Sequence, residues 1–505
     1  MIGSGRAAVL IWTIAILSAS LVLTVRALSA PFDLEPNWNP AQVEEQLRRA
    51  LEAEPTNFDN RVSLANLLSY QSGRLGEAIE QYREALKRRP RDRNARHGLA
   101  RSLAWAGNTR DAIAQFDSLL TDDPRDPEAN FGRGQLARWS GERGRARRHL
   151  LLALEIEPRE VRYHEEYGLI EVEAGRVSTA RSAANASRRY GGEPLELEQM
   201  IAEAAAPEAG VRVSLSEETN DFRRAHVMMQ AEFLSWRDTR VRLEAGYTRF
   251  EDDTGELDRT SIRLDATHPL PRDLVVSARY ALRQPIGRSP THEWGAEISG
   301  PPTSLPVNFR IGGSRHSLVD QRPSYEEIEP IQGGGSGGNS LDSIRNERQV
   351  WEGYAGLSSA PIPGMYAYAE FAAGWISDGN RRLNAIAGLG FDLVHFVDGP
   401  SAHSLNAQYD LYFLDYPHED PEYFSPQNFI VHSPGLSWNW RSGDRFVAGL
   451  EAGVPIESGE RAGWRAGGFI QFELDRRFFV GARIRHMENV SYRISSGTLG
   501  IRMTF

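Results

Sequence analysis

The sequence predicts a two-part α + β chain: an N-terminal α-solenoid of helical repeats, then a transmembrane antiparallel β-barrel of about 16 strands. Three observations carry this expectation. Residues recur at a fixed step through the first half. Apolar and polar residues alternate with period two through the second. The connections between the alternating segments sort by length.

Composition allows this and narrows the alternatives. The chain has 505 residues, of which 40% are hydrophobic, and its net charge is −10. A mean hydropathy of −0.46 excludes a bundle of membrane helices but not a barrel, whose strands interleave apolar and polar residues. The acidic balance gives no bulk support for binding nucleic acid, and no nucleic-acid partner is expected. There is no cysteine, which excludes disulfides, thiolate metal sites and cysteine nucleophiles.

At the amino end, Arg6 precedes an apolar run from Ala7 to Val25, and small residues follow at Ala27, Ser29 and Ala30. This is the pattern of a cleaved secretory signal, so residues 1–30 are read as a signal peptide.

Residues 31–205 are read as the solenoid, expected in the periplasm. Pro55, Pro90, Pro124 and Pro158 recur at steps of 35, 34 and 34, while Gly73, Gly107, Gly141 and Gly175, like Ala78, Ala112, Ala146 and Ala180, keep a step of 34. That is the tetratricopeptide period. Each unit is a helix pair. The glycine turns between the helices, the alanine lies where they cross, and the proline ends the second. A lone helix over Ala41–Ala53 precedes four full units. Trp105 and Trp139, in LAWAG and ARWSG, hold one repeat position; packing against the next repeat is the favoured reading, contact with a polymer or partner the other. The cluster Arg138, Arg143, Arg145, Arg147 and Arg148 reads as a solvated helix face.

Residues 210–505 are read as the barrel. Strand candidates begin near Val211, Val227, Val241, Thr260, Leu274 and Glu293, then Val307, Gln349, Met365, Leu383 and Ala402, then Asn428, Asp444, Ala462, Phe478 and Arg493. The last reads YRISSGTLGIRMTF, with Gly497, Leu499, Ile501, Met503 and Phe505 on one face. A strand ending on an aromatic at Phe505 is the form expected to be recognised by barrel-assembly machinery. With the amino end in the periplasm, the inward connections are short: RDT at 237–239, HPLPRD at 268–273, APIPG at 360–364, RSGD at 441–444 and DRR at 475–477. The long connections, Ser314 to Arg348 and Asp415 to Gln427, fall on the outer side, as in outer-membrane barrels. The outer loop also holds GGGSGG at 333–338, read as disordered.

The alternation also predicts the lumen. Ile262 and Leu264 oppose Arg263 and Asp265, Val241 and Leu243 oppose Arg242 and Glu244, and Ile470 and Phe472 oppose Gln471 and Glu473. A charge facing lipid costs roughly 2–4 kcal/mol at the midplane, so these charges point inward. Arg279, Arg483, Arg485 and Arg502 complete the candidate lumen set. The interior is therefore wet and carries both signs, suited to a hydrated polymer or to a network that stiffens the wall.

No P-loop, HExxH or GxSxG motif is present, and HEEYG at His164 lacks the second histidine that zinc needs. Neither catalysis nor a cofactor or metal is expected. Asp252–Asp253 and Glu326–Glu327 read as solvated loop carboxylates.

The segment EYFSPQNF, Glu422–Phe429, resembles the barrel of the cellulose synthase operon protein C family, in which a YFSPQ-like segment is typical. LAWAG and ARWSG are similar to the repeats of that group and of its shorter YaiO-type relatives. The resemblance implies a passive outer-membrane pore for a secreted glucan, with repeats that contact the polymer or periplasmic and inner-membrane synthase components. It also singles out Tyr423, Phe424, Ser425, Pro426 and Gln427 at the pore mouth, where an aromatic can anchor in the lipid interface or stack on sugar. The cellulose exporters carry a longer array. Four units do not span the periplasm, which points to a different polymer or to an added periplasmic protein. Surface lipoprotein assembly modifiers also join such repeats to a barrel and give the alternative function; a receptor barrel with a plugged lumen is a third.

Overall fold

The computed structural model describes residues 39–218, 221–301, 307–318, 345, 348–360, 364–420, 425–443, 445–457, 462–475, 477–488 and 493–505. The signal segment 1–30, the glycine-rich run 333–338, Glu326–Glu327, and Tyr423 and Phe424 lie outside these. The chain packs as two compact units, residues 1–122 and 123–505.

The first unit holds α1 (Pro40–Ala53), α2 (Phe58–Ser69), α3 (Leu75–Arg88), α4 (Arg93–Trp105) and α5 (Thr109–Asp122). The second begins with α6 (Pro127–Trp139), α7 (Arg143–Ile156), α8 (Val161–Glu173), α9 (Val177–Arg189) and α10 (Leu195–Ala205). The repeated residues do what their spacing predicts. Gly73, Gly107, Gly141 and Gly175 sit between paired helices at φ of 74–79°, a conformation that disfavours any side chain. Ala78, Ala112, Ala146 and Ala180 are fully buried at the helix crossings. A further periodic device begins the first helix of the first three units, though not of the fourth, where Glu160 makes no such bond. Asn57, Asp92 and Asp126 accept the amide hydrogen bonds of Asn60, Ala95 and Ala129 at 3.0, 2.9 and 3.0 Å, capping groups that have no partner inside the helix.

The barrel runs β1 (Glu208–Glu218), β2 (Arg223–Leu234), β3 (Arg240–Asp252), β4 (Gly255–Pro269), β5 (Val275–Pro285), β6 (Thr291–Gly300), β7 (Val307–Ser317) and β8 (Gln349–Ser359). It continues with β9 (Met365–Ile376), β10 (Arg381–Asp398), β11 (Ser401–Asp415), β12 (Phe429–Ser442) and β13 (Phe446–Gly453, resuming at Ile456–Glu457). It ends with β14 (Trp464–Asp475), β15 (Phe478–Glu488) and β16 (Arg493–Thr504). Every strand pairs antiparallel with its sequence neighbours, and β16 pairs with β1, from Glu208–Thr504 to Glu218–Ile494. The sheet is closed, so no edge remains to be satisfied in lipid.

The outer face is the apolar one: Ile262, Leu450, Ile470, Ile484 and Leu499 are all at least half exposed. Aromatics mark its two rims. Near the β10–β11 turn, His403 stacks on Phe396, and Trp438 on Trp440. Towards the other rim, Trp351 faces Trp375 across β8 and β9, and Trp464 packs on His486. Such girdles settle at the two interfaces of a bilayer. Among the described residues no helix is long and apolar enough to cross a membrane.

One expectation is corrected. Arg138 and Arg147 do not lie on a solvated helix face. Their side chains are only 17% and 15% exposed, and their acidic partners are Glu166, Glu171 and Glu173 in the next repeat, with Asp273 beyond it, rather than the acids adjacent in sequence. Stacking of α8 on α6 and α7 desolvates these two, whereas Arg143 and Arg148 of the same cluster stay exposed, and a guanidinium out of water requires a carboxylate.

Candidate functional site: the barrel lumen

The inward residues of the strands enclose a cavity of about 1160 Å³. Sixteen strands leave an aqueous interior, whereas eight are filled by their own side chains. Of the candidates from sequence, Arg242, Glu244, Arg263, Asp265, Arg279, Arg483 and Arg485 line it together. Gln471, Glu473 and Arg502 occupy the same face but fall outside the lining, towards the end that carries the short turns. There Arg502 pairs with Glu208 at 3.5 Å and stacks over Phe479.

The lining charges are ordered by strand register. Asp265 receives Arg263 at 3.0 Å and Arg279 at 2.5 Å, and Arg263 also reaches Glu244 at 2.6 Å. Glu232 receives Arg240 at 2.9 Å and Arg242 at 2.6 Å. Arg485 pairs with Glu451 at 2.7 Å. Around the closing seam the wall has a different character. Register sets Arg483, Thr498, Ser214, His226, Thr248 and Arg259 side by side from β15 through β4. Arg212 sits in the next row opposite Gly500. Thr498 donates to Ser214 at 3.2 Å, and His226 and Thr248 are 2.8 Å apart.

Sequence reasoning missed the aromatic wall. Tyr354, Tyr366 and Tyr368 lie inside, each across a strand pair from a glycine: Gly312, Gly390 and Gly388. A Cβ on Gly390 would stand 1.9 Å from the Tyr366 ring and one on Gly388 2.3 Å from that of Tyr368, so the rings lie flat on the neighbouring backbone. The Tyr368 hydroxyl donates to Asp410 at 2.8 Å and that of Tyr354 to Glu297 at 3.0 Å. A signal was present, since glycine recurs at alternate positions, 388 and 390, of one strand. Towards the long-loop end, Val350, Ile376, Ile386, Leu414 and Val431 make a buried apolar cluster inside β8–β12, with Met487 packed on it.

Sequence reasoning also missed what the short turns do. Arg237–Asp238 and Arg272–Asp273 are consecutive left-handed residues with φ between 56° and 64°. Each turn is closed by one hydrogen bond of 2.7 Å, Ser235 to Thr239 and Leu270 to Leu274. The aspartate of each reaches a repeat helix. Asp273 accepts from Arg147 at 2.8 Å and Arg176 at 3.1 Å, beside Glu171. Asp238 accepts from the Ser178 amide at 2.7 Å and from its hydroxyl, in the first turn of α9, where unpaired amides favour an anion. Burial opposes the charge of Arg147, but Glu171 and Asp273 outweigh it and hold the guanidinium above its usual range. Arg240 adds a bond to the Ala204 carbonyl at 2.9 Å. The readable signal was the dipeptide Arg-Asp in both turns.

The motif at 422–429 is described from Ser425 on. Ser425 is buried and its hydroxyl accepts from the Asp420 amide at 2.5 Å, the Pro426 carbonyl accepts from Tyr416 at 3.0 Å, and Gln427 donates to the Pro417 carbonyl at 3.3 Å. These residues fold the β11–β12 loop onto itself. Trp105 and Trp139 end α4 and α6 and are 41% and 50% exposed; Trp105 packs at 5.8 Å on Tyr70 of the preceding repeat, under Arg101. His164 bonds the Pro158 carbonyl and stacks on Tyr190.

Residues 69–136 match the tetratricopeptide repeat family. No curated protein matches the chain. Among solved structures, the chain is similar to a bacterial polysaccharide outer membrane secretin at 14% identity, covering 59% of this chain and 98% of that one, with a TM-score of 0.44. It is similar to a tetratricopeptide repeat protein from Parabacteroides merdae at 23% identity, covering 33% and 65%, with a TM-score of 0.29. It is also similar to PilW, a type IV pilus biogenesis factor, at 23% identity, covering 33% and 78%, with a TM-score of 0.30. The chain thus joins tetratricopeptide repeats to a closed 16-strand antiparallel barrel.

Proposed function

We propose that this chain is a passive channel through which a bacterium exports a polysaccharide across its outer membrane. The observation that carries the reading is the polar, arginine-lined cavity inside a barrel whose outer face is apolar and banded by aromatics. In this reading residues 1–30 direct export, the repeats over 31–205 lie in the periplasm, and the barrel over 210–505 spans the outer membrane. The repeats serve as a docking scaffold for polymer or synthase components, with Trp105 and Trp139 as exposed aromatic contacts. Ser425 to Gln427 stand at the outer mouth, and the strand ending at Phe505 engages the assembly machinery. A glucan such as cellulose is what the family resemblance implies, and biofilm formation is the setting in which such a polymer acts.

A deletion strain scored for external polysaccharide and for surface lipoproteins tests this. Loss of external polymer, with polymer retained in the periplasm and lipoproteins unchanged, is the expected result. Normal polymer with lipoproteins missing from the surface would replace export by lipoprotein assembly.

A further inference from the structure

The charge of the lumen bears on what passes through it. The whole chain carries −10, yet thirteen arginines and only eight carboxylates line the cavity. The lining is therefore positive by five charges in a protein that is otherwise acidic. Glu370, which pairs with Arg310 from behind the lining, offsets part of this surplus. The excess is concentrated at the closing seam. Arg212 and Arg483 are exposed there, and among the described residues neither has a carboxylate within ion-pair distance. Arg224 leans over Phe250 and Arg483 over Phe469, contacts that hold a guanidinium in place without neutralising it. Between them stand Ser214, Ser216, Ser496 and Thr498, which donate and accept hydrogen bonds as sugar hydroxyls do. A charge-balanced network that only stiffened the wall would pair each arginine. The two unpaired guanidiniums, Arg212 and Arg483, beside these hydroxyls match a polymer that carries anionic groups along a hydroxylated backbone. Guanidinium binds carboxylate, phosphate and sulfate through paired hydrogen bonds, and a low-dielectric wall focuses the field along the path.

Resting on the export reading above, we propose that the lumen selects a polyanionic glycan, one bearing carboxylate, phosphate or sulfate groups, rather than neutral cellulose. The seam arginines bind its anionic groups in passing, weakly enough to release them because they are spread over several rows.

The full chain, reconstituted in planar bilayers, tests this with added oligogalacturonate, dextran sulfate, cello-oligosaccharide and chitosan oligomer. The wild type is expected to prefer chloride over potassium. Oligogalacturonate, dextran sulfate or both should block the current at concentrations several-fold below the cello-oligosaccharide, and the ratio of the two anionic arms separates carboxylate from sulfate ester chemistry. The double variant R212E/R483E should lose the anion preference and the discrimination, and R212Q/R483Q should weaken both, with the folded state of each variant checked by its circular-dichroism spectrum. A channel that stays shut is read instead by equilibrium binding of the same oligomers to detergent-solubilised protein. Block or binding by cello-oligosaccharide or chitosan oligomer at equal or lower concentration overturns the polyanion inference and leaves export standing. If no oligomer blocks or binds, both the inference and the export reading fall.

Discussion

Asp273 is a single carboxylate on which two repeat helices converge. It holds Arg147 and Arg176, all three side chains are at most 15% exposed, and it sits at 3.3 Å from where a Cβ on Gly144 would stand. Replacing it by alanine leaves two desolvated guanidiniums with Glu171 alone, and truncating one partner of a buried ion pair costs about 3 kcal/mol. We therefore expect Asp273→Ala to lower the melting temperature of the helical circular-dichroism signal while the barrel keeps its resistance to heat in detergent. An unchanged helical melt would mean that the turn only abuts the repeats. Gly390 is as specific in another sense. A leucine there cannot coexist with the Tyr366 ring in its present place. Gly390→Leu should turn the ring into the lumen and lower single-channel conductance, whereas Leu389→Ala, on the outer face, should leave it unchanged.

At the scale of elements, α1 has no buried residue, and what binds it to α3 is charge. Glu44 accepts from Arg74 at 3.0 Å and from Arg48 at 2.8 Å, and Arg48 also reaches Glu77. Arg74 first, then Arg48, hold the Glu44 carboxyl at about 2, below its usual 4.5. A depressed carboxyl stabilises the fold fully above its unfolded value and loses that contribution as the pH falls through the folded one. Protection of α1 amides from hydrogen exchange should therefore be constant at neutral pH and decline between about 4.5 and 2. Glu44→Gln should reduce that dependence to the part carried by Glu77, whose carboxyl Arg48 also holds below its usual range. The strands were the legible elements because lipid enforces one rule at every position: Arg263 and Asp265 had to oppose Ile262 and Leu264. The helices were legible because Gly107 and Ala112 recur one repeat on as Gly141 and Ala146. What could not be read were contacts between residues far apart in the chain. The Arg-Asp dipeptides at 237–238 and 272–273 look like ordinary turn residues until their helical partners, dozens of positions earlier, are placed beside them. The same holds for Arg138 and Arg147, whose solvated neighbours in sequence are not their neighbours in space. Of the lumen, alternation revealed Arg242, Glu244 and Arg263 but not the surplus at the seam, since Arg212 and Arg483 meet only when β16 closes on β1.

For the molecule as a whole, the unit from Asp123 to Phe505 makes the last repeats and the barrel a single body. The helices reach the barrel through turns at the end that also carries the start of β1 and the close of β16. The last two repeats are thereby fixed at that end of the lumen. The double variant D238A/D273A should release this hold without opening the barrel. Limited proteolysis in detergent should then cut faster between Ala205 and Glu208 than in the wild type and leave an intact barrel fragment.

The claim on which the rest depends is that polymer travels through the barrel. The most direct measurement places a photo-reactive phenylalanine analogue at Thr498, which lines the lumen, or at Leu499, which faces outward one residue on, in cells that are making polymer. The account predicts a glycan-bearing adduct on illumination at Thr498 and none at Leu499. Adducts absent from both positions while polymer continues to reach the cell surface would contradict it.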